Sequence, residues 1–409
     1  MKLSSAICSQ VVASLILGLS IGNGPGSLLA QELSTGNHKL VLLMGGDVQW
    51  SLYLRPSTVV FDTPDPADLD WRLSPYLNQG ASRALWESLQ TAPIKPDHDR
   101  FAIRYDLHFS SPQEMIDYPL KRLSPTLHAA DVVFFNLETP LSDTARMDGE
   151  ARTPEAFAGA LRNAGASVVT IANNHTFDAQ GVGFEDTMRS LSAAGLPFIG
   201  GGHNLAEARK AVILERNGIK IGFIGYAQFS NMGEPAFAAE DRSGIVPMDP
   251  VLIKEDIRKL RSQVDYVAVS IHWGTDKSGN VSPANRKLAH ELIDAGADII
   301  LGHHTPIPKG IEIYHGKTII YSPSHVVIGH NHPDWGDSYL VRLTLGPKRV
   351  EKIEILPIAG KGQQLAQPFL LEGAEAQALL RTVRDRTAAL DTSMTIQGDE
   401  GVISGPFAP

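Results

Sequence analysis

The stretch VVTIANNHTFD, residues 168–178, changes character halfway along its length. It begins with β-branched and apolar residues, as a buried strand does, and then presents Asn173, Asn174, His175 and Asp178 within six positions. In an open α/β sheet, ligands bind beyond the carboxyl ends of the strands. The stretch therefore predicts a strand that delivers two amides, an imidazole and a carboxylate to a binding site.

Four further strand-like runs lead into side chains that can ligate a metal. They are KLVLLMG (39–45), followed by Asp47; DVVFFN (131–136), followed by Glu138; DYVAVSI (265–271), followed by His272; and DIILG (298–302), followed by His303 and His304. Helix-like stretches that end in glycine lie between several strand-like runs, and this alternation predicts an α/β fold with a layered sheet. The polar residues are therefore expected to converge at one edge of the sheet.

The residue types at these strand ends indicate which ions the site would bind. Carboxylate, amide oxygen and imidazole, without thiolate, suit divalent ions such as Mn, Fe or Zn. Two such ions about 3.5–4 Å apart can share a carboxylate and activate water for attack on phosphorus. Each cluster taken alone also fits an ordinary turn or loop hydrogen bond. Their common position at strand ends favours a site for one or two metal ions.

The composition excludes several classes of function. The chain has 409 residues, 43% of them hydrophobic, so it can bury the core of one large domain or two ordinary ones. The net charge is −9 and no basic run is present, which argues against nucleic acid as a partner. The single cysteine is Cys8, so no thiol is available after residue 8 as a nucleophile or metal ligand.

Residues 1–30 predict a secretory signal peptide. Lys2 precedes an apolar stretch over 6–22, and small residues lead to Ala30 as the residue before cleavage. Export would make the protein extracytoplasmic, either periplasmic or secreted. The alternative is an uncleaved segment that anchors the chain in the membrane.

Taken together, these motifs resemble the CapA family of capsule and poly-γ-glutamate synthesis proteins, within the calcineurin-like metallophosphatase superfamily. The resemblance rests on ADVVFFNLETPLS (130–142), IANNHTFDAQGVGFEDTMRSLSAAG (171–195), VSIHWGTD (269–276), IDAGADIILGHH (293–304) and GIEIYHGKTIIYS (310–322). It covers residues 39–360 and implies an α/β fold, a four-layer sandwich of two mixed β-sheets flanked by helices.

The same resemblance divides the chain into regions. Residues 48–118 would be an insertion in the 39–360 domain, and residues 361–409 a C-terminal helix and tail. Aromatic residues throughout the insertion predict that it folds. It would form a cap over the site, a wall that contacts a polymer, or a small separate core.

Roles for the polar residues also follow from the resemblance. It implies metal ligands at Asp47, Glu138, Asn174, His272 and His303. His175 and His304 are the candidate catalytic residues, as general acid or base. Asp178 would orient the loop of His175; the alternative is that Asp178 caps the helix that follows or simply lies in a turn.

The chain departs from the family pattern at several ligand positions. Gln49 stands where the superfamily usually has a histidine, and Pro306 replaces the last imidazole of the usual GHHPH. The usual YSLGNF is YSPSHV here, which adds His325. This histidine could face the cluster around Asp47 and restore a ligand, or it could pack in the sheet or meet solvent. A second histidine-rich stretch, GHNHPDWGD (329–337), matches the superfamily's final Gly-His-x-His more literally than GHHTP does. By order along the chain GHH is the family motif, so this stretch is interpreted as a solvated loop, with a role as the final motif as the alternative.

Two functions are consistent with this sequence. The first is a CapA-like extracytoplasmic protein in capsule or poly-γ-glutamate-type polymer synthesis or release, with phosphoesterase-type, metal-dependent hydrolysis as its reaction. Its substrate would be a phosphoester or an anionic envelope polymer, and a membrane synthase complex is a further candidate partner. The second is a non-catalytic polymer-binding or assembly protein that retains the fold. The losses at 306 and 323–326 favour the second function, and the intact NNH, HWG and GHH motifs favour the first.

Overall fold

Two mixed β-sheets form the centre of the fold. The computed structural model describes residues 39–50, 59–61, 107–109, 111–145, 152–274, 278–328, 335–361 and 366–408. In chain order, the strands are β1 (Leu40–Gln49), β2 (Val59–Phe61), β3 (Leu107–Phe109), β4 (Val132–Leu137), β5 (Val168–Thr170), β6 (Phe198–Ile199), β7 (Gly201–Gly202), β8 (Val212–Arg216), β9 (Ile219–Ala227), β10 (Gly244–Ile245), β11 (Tyr266–His272), β12 (Ile299–His303), β13 (Ile311–Tyr314), β14 (Lys317–Ile320), β15 (His325–Ile328), β16 (Ser338–Leu345), β17 (Val350–Ile358), β18 (Thr395–Gln397) and β19 (Glu400–Ile403). The helices are α1 (Pro112–Asp117), α2 (Ser124–His128), α3 (Phe157–Ala164), α4 (Gln180–Ala193), α5 (Leu205–Ala208), α6 (Pro250–Arg261), α7 (Pro283–Asp294) and α8 (Gly373–Ala388).

Both large sheets combine parallel and antiparallel pairs. The larger has the order β18-β19-β17-β16-β1-β4-β5-β6, and β15 also pairs with β1. The smaller has the order β13-β14-β12-β11-β9-β8. In the larger sheet β1, β4, β5 and β15 run parallel. In the smaller sheet β9, β11, β12 and β14 do so. Parallel strands end at the same edge, so each sheet collects its loops at one side.

The two sheets pack face to face over an apolar core. Leu42 and Phe134 of the larger sheet share this core with Phe223 and Leu301 of the smaller, and all four are fully buried. The rings of Phe134 and Phe223 stack with their centroids 5.7 Å apart. Because successive side chains in a strand point to opposite faces, each sheet has a second apolar face to cover.

Helices cover those outer faces. Phe157 of α3 and Phe184 of α4 pack against the larger sheet in one buried cluster. Ile257 of α6 and Leu292 of α7 pack against the smaller sheet in another. The layers are therefore helix, sheet, sheet and helix, which confirms the predicted four-layer sandwich.

The helices begin and end at residues suited to those positions. Asp249 and Ser282 cap α6 and α7 by accepting hydrogen bonds from backbone N–H groups of the first turn. Gly165 ends α3 with φ 116°, a left-handed conformation that glycine adopts without steric penalty. The glycine stops predicted from the sequence are therefore present.

Some elements differ in extent from their prediction. β1 continues to Gln49 instead of ending at 45, because residues 47 and 48 keep pairing with β4 and β15. Asp47 thus lies inside a strand. At the other end of the chain, β18 and β19 extend the larger sheet through β17, so the C-terminal region contributes to the sandwich.

Several predicted regions lie outside the described residues. These are residues 1–30, residues 329–334 with their histidines, and most of 48–118. Of that insertion, residues 48 and 49 belong to β1, β2 pairs in parallel with β3, and Ser111 caps α1, which begins at Pro112. Within the part of the chain that the structure describes, no helix is both long and apolar enough to cross a bilayer.

Candidate metal centre

The larger sheet brings Asp47, Asn136 and His325 side by side. Asp47 in β1 pairs in register with Asn136 in β4 on one side and with His325 in β15 on the other. Glu138 follows β4 directly, and its backbone N–H donates to Val48 O at 2.9 Å. Because these strands run parallel, their carboxyl ends deliver the side chains to one place.

The smaller sheet supplies the histidines from its equivalent edge. His272 is the last residue of β11 and His303 the last of β12, and the two pair in register. His304 follows with φ 93°, and its backbone N–H donates to Asp47 Oδ2 at 3.2 Å. That hydrogen bond joins the edges of the two sheets at Asp47.

A buried amide network holds the carboxylate and the imidazole in place. Asn136 Nδ2 donates to Asp47 Oδ1 at 2.8 Å and lies 3.3 Å from His272 Nδ1. Asn173 Nδ2 donates in turn to Asn136 Oδ1 at 3.0 Å and to Leu137 O at 2.8 Å. The sequence placed Asn173 at a strand end but predicted neither Asn136 nor Asn173 as the residue that orients the ligands. Their place beside the predicted ligands, in NLE and NNH, is the signal that could have identified them.

Three of the predicted ligands converge on one another. His272 Nε2 lies 2.6 Å from Asn174 Oδ1 and 3.3 Å from Glu138 Oε1. All three residues are at most 5% exposed. The structure thus brings an imidazole, an amide oxygen and a carboxylate into one buried position.

His175 is held by a carboxylate, as the resemblance implies. Its Nδ1 lies 2.7 Å from Asp178 Oδ2. Of the two alternatives for Asp178, capping of the following helix is wrong, because Ala179 occupies the N-cap position of α4. The turn is present, since Asp178 N–H donates to His175 O at 2.9 Å. Asn231, in the loop after β9, adds a contact that the sequence reasoning missed: its Nδ2 lies 3.3 Å from His175 Nδ1 and 3.4 Å from Asp178 Oδ1.

His303 and His325 flank Asp47 without forming hydrogen bonds. His303 Nδ1 lies 3.5 Å from Asp47 Oδ1, and His325 Nδ1 lies 4.0 Å from Asp47 Oδ2. Both ring nitrogens of each histidine are buried and have no hydrogen-bond partner. The ring of His325 therefore faces the cluster, and the alternative of a solvent-facing ring is wrong. The residue does lie in the sheet, as the first residue of β15.

Burial controls the protonation of this cluster. Burial, followed by the negative charge of Asp47, raises the pKa of Glu138 well above its usual value. Burial likewise lowers the pKa of His272 well below its usual value and that of His304 and His325 to about 4. The imidazoles are therefore neutral near pH 7, which is the form that binds metal.

The residues fit a divalent ion by the chemistry of their donors. Glu138, His272 and His304 each offer a ligand atom within 4.8 Å of the others, and so do Asp47, Glu138 and His325. Unpartnered buried nitrogens on His303 and His325 are costly unless something binds them. His303 belongs to neither three-residue group, although it lies beside Asp47. His304 belongs to the first group, a position that suits a ligand.

Glycines allow the backbone to crowd around this centre. A Cβ on Gly46 would lie 1.6 Å from the carbonyl oxygen of Ser324, and one on Gly302 would lie 2.1 Å from that of Tyr321. Both distances are impossible for a side-chain carbon. The strands can approach Asp47 and His303 this closely only because these positions carry no side chain.

Proteins of several bacteria are similar to part of this chain. The chain is 30% identical over 253 residues to a protein of Bacillus subtilis strain 168 named "PGA biosynthesis protein CapA", a match that covers 60% of this chain and 66% of that protein. It is 29% identical over 253 residues to the "Capsule biosynthesis protein CapA" of Bacillus anthracis, covering 59% and 61%. It is 34% identical over 218 residues to a "Probable polyglutamine synthesis accessory protein" of Mycobacterium tuberculosis, covering 49% and 56%. These matches span just under two thirds of their lengths, or less.

Solved structures show a weaker likeness. A calcineurin-like phosphoesterase of Bacillus subtilis superposes with a TM-score of 0.35 at 12% identity, covering 86% of this chain and 97% of that one. At such a score the superposition carries no argument about the site. The sequence match is firmer, because the family model described as "Bacterial capsule synthesis protein PGA_cap" matches residues 88–328, more than half of the chain. This protein therefore belongs to the PGA_cap family of bacterial capsule synthesis proteins.

Proposed function

We propose that this protein is a metal-dependent hydrolase of the phosphoesterase type that acts on an anionic envelope polymer, or on a phosphoester, outside the cytoplasm. The observation that carries the proposal is the buried cluster at the carboxyl ends of both sheets. It contains two carboxylates, an amide oxygen and histidines whose nitrogens lack partners. In a core with a purely structural role, buried polar side chains would form hydrogen bonds with partners, or apolar residues would stand in their place.

The chain offers donors for one or two such ions. Asp47, Glu138, Asn174, His272 and His303 are the candidate ligands, and Mn, Fe and Zn are the ions that suit these donors. When bound, the ion supplies Lewis acidity and lowers the pKa of water. Around it, Asn136 holds the Asp47 carboxylate and the His272 ring in fixed orientations.

His175 is the candidate general acid. Asp178 binds its Nδ1 at 2.7 Å, which fixes the ring and directs Nε2 away from that carboxylate. A proton on Nε2 could then pass to the leaving oxygen of a substrate. Asn231 limits the movement of this pair from the opposite loop.

The polymer substrate is supported by the relatives. Two of them are named for the biosynthesis of a capsule or of PGA. The net charge of the chain is −9, so the protein as a whole repels a polyanion. Binding of such a polymer would therefore depend on the metal centre and on local contacts. A membrane synthase complex is part of this proposal as a partner.

Export is the localisation proposed here, on the strength of the apolar N-terminal segment 6–22. Cell fractionation tests it. Protein recovered from the cytoplasm with residues 1–30 still attached would contradict export.

A non-catalytic polymer-binding or assembly protein is the second candidate. Gln49 and Pro306 favour it, because neither provides the imidazole that the superfamily has at these positions. Gln49 Nε2 is buried and lacks a hydrogen-bond partner, so the substitution leaves an unsatisfied donor at this edge of the sheet.

The deciding experiment measures metal content and activity on the same preparations. Wild-type protein should retain a divalent ion after dialysis and hydrolyse a chromogenic phosphodiester in the presence of Mn. His272→Ala should lose both, because its ring lies at the centre of the ligand set. The matched control is His128→Ala, since His128 lies in α2 and bonds to Asn163 O, away from the site.

Equal metal content in wild type and His272→Ala would overturn the metal centre. Metal binding that depends on His272, without hydrolysis of any phosphoester or polymer tested, would favour the binding protein.

A further inference from the structure

We propose that His325 is a ligand of a second divalent ion, which is held by Asp47, Glu138 and His325 beside an ion held by Glu138, His272 and His304. The proposal rests on the metal centre described above and extends it, because it specifies two ions and assigns the second to a residue outside the predicted ligand set. Its support is the backbone, the burial and the surroundings of His325.

The backbone is built to bring residue 325 next to residue 47. Asp47 N–H donates to Ser324 O at 3.1 Å, and Asp47 then pairs in register with His325. Ser324 adopts φ 74°, a left-handed conformation that is uncommon for a residue with a side chain. Gly46 leaves the space that Ser324 O occupies. Strain at one position and a missing side chain at the other are typical of a functional site.

The imidazole of His325 is buried without a partner. The residue is 6% exposed, and neither Nδ1 nor Nε2 forms a hydrogen bond. Leaving a buried polar group unpaired costs about 1–3 kcal/mol. His290 provides the contrast, because its Nε2 lies 3.0 Å from Glu312 Oε1 as expected for a structural histidine. An ion would satisfy the nitrogen of His325 that faces Asp47.

The spacing of the donor atoms suits a shared ion. His325 Nδ1 and Asp47 Oδ2 are 4.0 Å apart, which is too long for a hydrogen bond. Two atoms that ligate one ion at about 2.0–2.2 Å each lie roughly 3–4 Å apart. Glu138 offers an oxygen within 4.8 Å of both donor atoms. The three residues can therefore close on an ion by small side-chain rotations.

Neighbouring residues hold the ring in this orientation. Trp335 packs against His325 edge to face, with ring centroids 4.9 Å apart. Ser338 Oγ donates to the backbone carbonyl of His325. The contact with Trp335 restricts the ring and the hydrogen bond from Ser338 fixes the backbone at residue 325, and neither engages a ring nitrogen.

The two ligand groups share only Glu138. The group of Glu138, His272 and His304 joins the larger sheet to the smaller. The group of Asp47, Glu138 and His325 comes from the larger sheet alone: Asp47 lies in β1, His325 in the neighbouring β15, and Glu138 directly after β4. Removing His325 should therefore affect the second ion and spare the first.

Elemental analysis and electron paramagnetic resonance of Mn-loaded protein test the proposal. Wild type should bind about two Mn ions per chain and show a spin-coupled spectrum. His325→Ala and His325→Phe should bind about one, with the spectrum of an isolated ion. Added imidazole should restore the second ion in His325→Ala, where a cavity exists, and fail in His325→Phe, where the ring fills it. His290→Ala should match the wild type.

The outcomes separate this proposal from the function it rests on. If His325→Ala still binds two coupled ions, His325 is not a ligand and the proposal is wrong. If the wild type binds one ion and His325→Ala binds it equally well, the second site does not exist. In both cases the metal centre itself is still supported. A wild type that binds no ion would overturn both. The wild-type ion count keeps the proposal testable even where a variant does not fold, since one ion per chain contradicts it.

Discussion

Asp47 and Glu138 place two carboxyl groups in the interior, where they are 0% and 4% exposed. Burying charged groups is expensive unless partners compensate it. Asn136 donates to Asp47, but Glu138 has its pKa raised by burial and by the charge of Asp47. At the scale of single residues, the site is therefore arranged to bind a cation.

The roles of neighbouring residues in the NNH motif can be separated by substitution. Asn174→Ala should lower metal content and activity together, because Asn174 Oδ1 lies in the ligand cluster, 2.6 Å from His272 Nε2. His175→Asn should keep its metal and lose about 10²–10⁴-fold in turnover, the usual contribution of a general acid. Metal analysis and kinetics on the same samples measure both effects.

Asp178→Asn serves as the companion variant. It keeps the size of the side chain but removes the charge that orients His175, so it should reduce turnover less than His175→Asn does and leave metal content unchanged. Equal metal loss in Asn174→Ala and His175→Asn would mean that the two roles are assigned wrongly.

Among the contacts between secondary-structure elements, the pairing of β1 with β15 matters most for the site, because it positions Asp47 beside His325. It depends on Gly46, whose place beside Ser324 O admits no Cβ. Moving these strands apart would displace Asp47 and His325 together, since the two residues pair in register. The site is thus sensitive to a position that carries no functional group.

Gly46→Ala should lower the free energy of unfolding by several kcal/mol and reduce metal content, because the backbone of Ser324 cannot move away without breaking the pairing. Gly159→Ala is the matched control. A Cβ at Gly159, within α3, meets nothing within 4 Å, so this change should stabilise the protein by about 0.5–1 kcal/mol. Urea unfolding of both variants measures the difference, and equal stabilities would contradict the steric argument.

A charged pair between β16 and β17 makes stability depend on acid. Arg342 Nε donates to Glu354 Oε2 at 2.8 Å. This bond, against the opposing effect of burial, holds the pKa of Glu354 at about 2 instead of 4.5, and Lys352 adds to it. Since the folded-state pKa is depressed, the stabilisation is complete above pH 4.5 and disappears as the pH falls towards 2.

Glu354→Gln should therefore be less stable than wild type near pH 7, and the difference should vanish between pH 4.5 and 2. We expect a difference of about 1–2 kcal/mol, less than the full shift implies, because Arg342 and Lys352 are partly exposed to solvent. Denaturant unfolding across this pH range measures it. Glu215→Gln, at an exposed position in β8, is the control. A difference that persists unchanged at pH 2 would contradict the assignment.

The whole molecule gains stability from any ion that bridges its two sheets. Asp47 lies in the larger sheet and Glu138 directly follows it, whereas His272 lies in the smaller sheet and His304 directly follows it. An ion bound by residues of both should resist separation of the sheets. Unfolding destroys the site, so binding energy appears as folding energy.

Removing metal with a chelator should lower the melting temperature by several degrees. Ligand present at about 100 times its dissociation constant stabilises a protein by about 2.7 kcal/mol. Adding Mn back should restore the wild-type value. Asp47→Asn should show a much smaller response to both treatments, and calorimetry measures each. Identical melting with and without chelator would indicate that no ion links the sheets.

The sequence alone determined the fold class and most of the candidate site. Strand periodicity and strand-end chemistry are local properties, so they indicated which polar residues would meet at one edge, and the family resemblance then named Asp47, Glu138, Asn174, His272 and His303 as candidate ligands. Parallel strands then bring these residues to one edge by geometry. The family resemblance, supported by the NNH, HWG and GHH motifs, extended this to the four-layer arrangement.

Only the tertiary structure decided the contacts that join distant parts of the chain. Whether His325 faces Asp47 depends on the register of β15 against β1, across more than 270 residues of sequence. The same holds for Asn231, which reaches His175 from a loop with no recognisable motif. Such contacts arise from packing between elements, where a shift of one residue turns a side chain to the opposite face of the sheet. No local pattern encodes that choice, so it appears only when the sheets assemble.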